Sequence, residues 1–259
     1  LVSSDEAAGL LARRYAGRAE LWASPEAYRG LGTAARRALR GIKLFTDGAL
    51  GARTAALGRA YRGGGRGILL HSDEELAALL KKAASLTGRA AVHAIGGAAL
   101  GQLARVLRRL RLPPGELALR VEHAQLITPA QARTFKKLGA ALCMQPNFSA
   151  DSACYADRLP AELRPLNNPF RMLIDEAGFV PGEDLLLGSD GMPHGAAAAL
   201  EGALFPPCPG QRLTLDEFRA GYCLPDMSAG FVEAVIDRAD RTVKVRVRTA
   251  SPDRGPSRR

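Results

Sequence analysis

Two rhythms of apolar and polar positions run along this chain. Between residues 68 and 190, short and nearly continuous apolar runs alternate with stretches in which apolar residues recur at helical spacing. The clearest helix spans 74–86. Ser72 and Glu75 form a capping box before it, and Leu76, Leu79, Leu80 and Ala83 share one face. The same reading predicts helices over 97–111, 128–138 (opened by Thr128-Pro129), 168–177, 195–204 and 214–222. Upstream it predicts a helix over 5–16 and a second from Ser24-Pro25 toward Arg40. Strands are predicted near residues 18–24, 42–45, 90–96, 117–123, 140–145 and 185–190, with an alternating, half-exposed strand over 242–248. Strands that alternate with helices and are apolar on both faces specify a parallel sheet.

Several strands end on residues with chemistry. The run Gly41-Ile42-Lys43-Leu44-Phe45-Thr46-Asp47-Gly48 carries a lone lysine within an apolar strand; the other five lysines sit in polar or amphipathic surroundings. Three later strands close on Val92-His93, Glu122-His123 and Ser189-Asp190. Residues placed at the C-terminal ends of several strands point to a (β/α)₈ barrel, whereas a doubly wound sheet gathers its ligands at one switch point. Only about six of the eight strands are countable, so the expected fold is an incomplete TIM-type α/β barrel. It is expected over 1–230, followed by a strand remnant and a disordered basic tail over 231–259.

Imidazoles suit zinc, iron, nickel or manganese, and Asp190 adds a hard oxygen donor. Burying an ammonium is costly, so a buried Lys43 is expected to be paired, neutral or modified. A neutral lysine amine reacts with carbon dioxide to give a carbamate, an anionic ligand able to bridge two metals. Each histidine taken singly reads more readily as a hydrogen-bonded structural residue, and the shared placement of four such residues reverses that reading. His194, just after Asp190, is a candidate substrate contact, as are Asp47 and Arg53 at the head of a long glycine-rich connection over 47–67. That connection reads most simply as a flexible lid or linker. Its glycine run is not followed by Lys-Ser/Thr and is no phosphate loop.

Composition removes some classes. No apolar run approaches the ~20 residues of a membrane span. The net charge of +10 comes from scattered arginines without interleaved aromatics, which argues against nucleic-acid binding; only Arg105 and Arg108-Arg109-Leu110-Arg111 are locally dense, at a helix end where cations suit the dipole. Four cysteines without CxxC spacing or a secretory pattern read as reduced thiols in a cytoplasmic protein.

Five ordered stretches carry a family resemblance: 41–57, Val92-His93-Ala94-Ile95-Gly96, 120–127, Met144-Gln145-Pro146 and Gly188-Ser189-Asp190. Together they resemble the amidohydrolase superfamily, in the branch that includes N-substituted formamide deformylases. The resemblance implies a distorted barrel hydrolysing C–N bonds of small molecules other than peptides, with a divalent metal, most simply zinc. It implies Lys43 as a carboxylated bridging ligand, His93 and His123 as ligands of one metal, and Asp190 as ligand and general base. The His-x-His pair that closes this family's first strand is absent, and Gly97 stands where Asp is usual. With Leu rather than Met at position 1, the chain is expected to be the C-terminal two-thirds of such an enzyme, or a degenerate relative. A catalytically inactive barrel serving as a binding module is the alternative. An open barrel also leads to the expectation that the chain either forms homo-oligomers or covers the gap with its N-terminal helices and the 242–248 strand.

Overall fold

The computed structural model describes residues 1–15, 19–113, 115–191, 193–223 and 230–248. The tail expected to be disordered, 251–259, lies outside them. Six parallel strands form one sheet in sequence order: β1 (Leu21–Ala23), β2 (Leu39–Phe45), β3 (Arg89–Ala94), β4 (Ala118–His123), β5 (Ala141–Met144) and β6 (Leu185–Leu187). An unbroken order of parallel strands keeps every crossover on one face, because such crossovers share one hand. A doubly wound sheet would reverse its order midway. The sheet is therefore a sector of a barrel wall. It does not close.

Helices α1 (Asp5–Tyr15), α2 (Pro25–Gly30) and α3 (Thr33–Ala38) precede β2, and α4 (Asp73–Thr87), α5 (Gly97–Leu110) and α6 (Pro129–Lys137) link the next four strands. The predicted helix toward Arg40 is thus two helices, parted at Leu31 and Gly32, where the backbone is extended. The capping boxes at Ser72/Glu75 and Thr128/Gln131 form in full.

Between β5 and β6 the chain makes a 3-10 turn (Pro146–Ala150), the short α7 (Asp151–Cys154), a second 3-10 segment (Ala161–Leu166) and a π-type turn (Met172–Glu176). The helix predicted over 168–177 survives mainly as that turn. Asn168, held at φ 48, gives its side-chain amide to the Gln145 carbonyl rather than starting a regular helix. After β6 come α8 (Ala196–Leu204), α9 (Leu215–Tyr222) and a hairpin, β7 (Phe231–Asp237) with β8 (Thr242–Arg248). The sequence predicts only one strand in this last region, over 242–248. Its partner β7 went unread because Phe-Val-Glu-Ala-Val-Ile-Asp alternates poorly.

Strand alternation sends the two faces to different environments. Ile42, Leu44, Val92, Val121, Leu142 and Met144 face the helices and form the main core with Leu76, Leu80, Leu100, Leu103 and Phe135. The opposite face is the would-be lumen. Registers Lys43↔Ala91, Phe45↔His93, His93↔Glu122 and Glu122↔Cys143 place Lys43, Phe45, His93, Glu122 and Cys143 on it together.

The connection over 47–67 is not a flexible lid. Leu50, Ala55, Leu57 and Tyr61 bury into a second core with Ile95, Leu126 and Leu159. Its backbone is pinned by Leu57 N–H to Arg66 O (3.0 Å) and Ile68 N–H to Thr54 O (3.0 Å). Glycine permits the closure: at Gly96 a Cβ would stand 2.0 Å from Ala56 O, so this crossing admits no side chain.

Candidate functional site

His93, next to last in β3, lies on the lumen face, as its pairing with Phe45 and Glu122 requires. His123 does not follow from alternation, because it comes one residue after lumen-facing Glu122. The backbone makes the correction: His123 and Ala124 adopt φ 71 and 47, a left-handed turn that swings the ring inward. The two imidazoles then meet edge to face, with centroids 4.7 Å apart. Phe148, from the 3-10 turn after β5, stacks on His123 at 5.9 Å, and Phe45 lies 5.3 Å from His93.

Each ring has one nitrogen engaged. His93 Nε2 donates to the Gly48 carbonyl at 3.0 Å, with Asp47 Oδ1 3.5 Å away, which leaves the lone pair on Nδ1. His123 Nδ1 donates to Gln145 Oε1 at 2.7 Å and leaves Nε2 as the free acceptor. The amide orientation of Gln145 is supported by its own Nε2, which donates to Cys143 O at 3.3 Å. Burial lowers the pKa of both histidines; His93, further disfavoured by its neighbour His123, falls to about 4. Both rings are therefore neutral at pH 7, the form that ligates metals.

Lys43 lies two residues before Phe45 on the same face, its Nζ 5.3 Å from the Phe45 ring centre. It is half-buried rather than buried. Among the described residues it makes no hydrogen bond or ion pair. Desolvation lowers its pKa, with Glu122 opposing. Glu122 is committed to Arg120, whose Nε donates at 2.6 Å, and the Arg120 guanidinium sits 4.8 Å over the Trp22 ring. Asp190 is exposed at φ 49, close enough for its charge to oppose the lowered pKa values of Lys43, His93 and His123, but with no direct contact to them.

The candidate substrate contacts separate. Asp47 does not face a ligand space: it is 2% exposed, and its carboxylate accepts from Ala56 N (2.9 Å), Gly96 N (2.8 Å) and Ile95 N (3.0 Å). A side chain whose oxygens are filled by backbone amides is a tether. Burial still raises its pKa to about 6. Arg53 is exposed at φ 57 in the same connection. His194 is exposed, with Nδ1 against the Asp190 carbonyl.

Among the described residues no three His, Cys, Asp or Glu side chains are placed to share a metal ion. What the face does bring together is mixed: two neutral imidazoles, each with one nitrogen free, and a lysine amine whose pKa is lowered by burial. Phe45, Gln145 and Phe148 were missed in the sequence. Gln145 had a signal, a polar residue closing an apolar strand as the histidines do; Phe148, beyond the strand, had none. All four cysteines are free.

A profile of the amidohydrolase family matches residues 5–197. YtcJ of Bacillus subtilis (strain 168), which carries an amidohydrolase designation, is 35% identical over 121 residues, 46% of this chain and 23% of that protein. An uncharacterized metal-dependent hydrolase from Pyrococcus horikoshii OT3 superposes with a TM-score of 0.60 at 27% identity, over 79% of this chain and 43% of that one. One from Pyrococcus furiosus superposes equally well (0.60) at 24% identity, over 84% and 43%. The chain spans less than half the length of each of these relatives.

Proposed function

Because the chain belongs to the amidohydrolase family, we propose that it is the ligand-bearing part of a metal-dependent hydrolase acting on the C–N bond of an amide- or formamide-type small molecule. The observation that carries this reading is the imidazole pair, 4.7 Å apart and neutral, with one free nitrogen on each ring. His93, His123 and Lys43 would hold a divalent metal, zinc first, with Asp190 joining from its loop. Lys43 would serve as a carbamate, its amine adding to carbon dioxide and releasing one proton. When bound, the metal supplies Lewis acidity that activates water and polarises a carbonyl.

The chain's own residues do the rest. Asp190 accepts the proton of the attacking water and returns it to the leaving nitrogen. Gln145 holds His123 in one tautomer, and Asp47 fixes the connection beside His93. Arg53 and His194, both exposed, would contact the substrate. The formamide deformylase-like branch and a cytoplasmic setting belong to the same proposal.

The test is metal binding after reconstitution with zinc and bicarbonate, followed by hydrolysis of an N-substituted formamide. About one equivalent of zinc per chain, lost in His93→Ala and His123→Ala, supports the reading; two tightly held equivalents would contradict the proposed ligand set. The open sheet and the absence of a three-residue His/Cys/Asp/Glu cluster among the described residues favour a second reading, an inactive barrel acting as a binding module. Failure to retain zinc would select it.

A further inference from the structure

The arginine-dense end of α5 has no part in the site above, and the structure divides it in two. Arg105 and Arg109 clamp Asp73 at 2.8 and 3.1 Å, as ordinary surface ion pairs. Arg108 and Arg111 instead border a cleft of about 790 Å³ between the end of α5, residues 111–113, 115 and 117, and α6. Arg133 and Lys137 of α6 line the same cleft. All four cations are exposed, and among the described residues none makes an ion pair; Glu116, the acid in the intervening loop, pairs with none of them. Leu107, Leu117 and Leu119 form the floor, with Leu119 only 8% exposed.

The cleft is remote from the imidazoles. It opens at the start of β4, and His123 closes the same strand six residues beyond Leu117, roughly 20 Å away at about 3.3 Å per residue. Helix dipoles account for cations in the last turns of α5 and α6. They do not account for an apolar hollow between them. Four like charges around that hollow repel one another, and Leu107 and Leu117 below stay only half-buried. One kind of molecule relieves both: an anionic head for the rim and a hydrocarbon chain for the floor.

We propose that this cleft binds a free amphiphilic anion, a carboxylate or phosphate monoester on an aliphatic chain. Its volume lies within the range of small-molecule sites, about 300–1,000 Å³. The recessed floor suits a single chain entering the protein better than a bilayer meeting a protruding surface. Calorimetry of the full chain with sodium dodecanoate below its micelle concentration tests the proposal. Saturable binding of one dodecanoate is expected, at least tenfold tighter than neutral dodecyl maltoside and without counterpart for dodecyltrimethylammonium.

The double variant Arg111→Ser/Arg133→Ser changes exposed positions only, and circular dichroism checks its fold. It should bind dodecanoate at least tenfold more weakly. Equal binding of the neutral detergent, or undiminished binding by a folded double variant, would overturn the proposal. So would sedimentation with phosphatidylglycerol vesicles, or salt-sensitive retention of an oligonucleotide, in the absence of dodecanoate binding. Those two results would assign the cations to a membrane or to a polyanion.

Discussion

At the scale of single residues the candidate site depends on groups that touch no substrate. Gln145 is 4% exposed and holds His123 Nδ1 at 2.7 Å. Partners of this kind set the tautomer and aim of a ligating imidazole, and losing one weakens metal binding roughly 10–100-fold. Gln145→Ala should therefore lower zinc affinity by that factor in a chelator competition while the far-ultraviolet spectrum stays native; unchanged affinity would remove Gln145 from the site. Asp151 makes a separate prediction. Its Oδ2 accepts from Gln125 Nε2 at 2.8 Å, and burial raises its pKa to about 6. A carboxyl whose folded value lies above its unfolded one contributes stability fully below pH ~4, and that contribution is lost as pH rises through 6, on the order of 3 kcal/mol in all. Asp151→Asn keeps an acceptor for Gln125 and cannot ionise. Its advantage in urea unfolding should be absent near pH 4 and grow toward that size by pH 8, so a pH-independent difference would refute the assignment.

At the scale of elements, the connection over 47–67 is the largest departure from what the sequence suggested. Its glycines and its length read as looseness. Its order comes from contacts distant in sequence, Leu50 and Tyr61 against Leu159 and Ile95, which no local pattern announces. Asp47 is the tie, with three backbone amides on one carboxylate. Buried N–H groups left without acceptors cost about 1–3 kcal/mol each. Asp47→Ala should then destabilise the chain by several kcal/mol in urea unfolding and open residues 48–67 to limited proteolysis; an intact connection in this variant would show that the tie is dispensable. The regular α/β units were legible because caps and periodicity agree within each of them, as at Ser72/Glu75 and Thr128/Gln131. His93 lies near the end of its strand as read, next to last in β3, whereas Lys43, read as closing its strand, stands two residues before the end of β2. The inward turn of His123 was not legible, because period-two alternation sends it to the helix face and only the left-handed backbone at 123–124 brings it back. Neither could the sequence show that Asp47, beside a histidine, faces its own backbone.

For the whole molecule, the unclosed sheet leaves β1 and β6 each without a neighbouring strand on one side among the described residues, β6 having only the single bridge from Pro181 to Leu185 besides β5. Both are three residues long, and Val2 N–H donates to Trp22 O at 2.8 Å alongside β1, so the edges are partly blunted. The lumen face is not: Phe45 is 38% exposed. Unpaired strand edges promote association. Sedimentation should therefore show a weight-average mass rising above 27.4 kDa as concentration increases, and a constant monomer mass up to ~100 μM would contradict this. The tether at Asp47 has a further consequence. A connection fixed to β3 and to the start of α5 cannot swing aside, so residues 47–67 form a standing wall beside His93, a surface already shaped rather than one that forms on arrival.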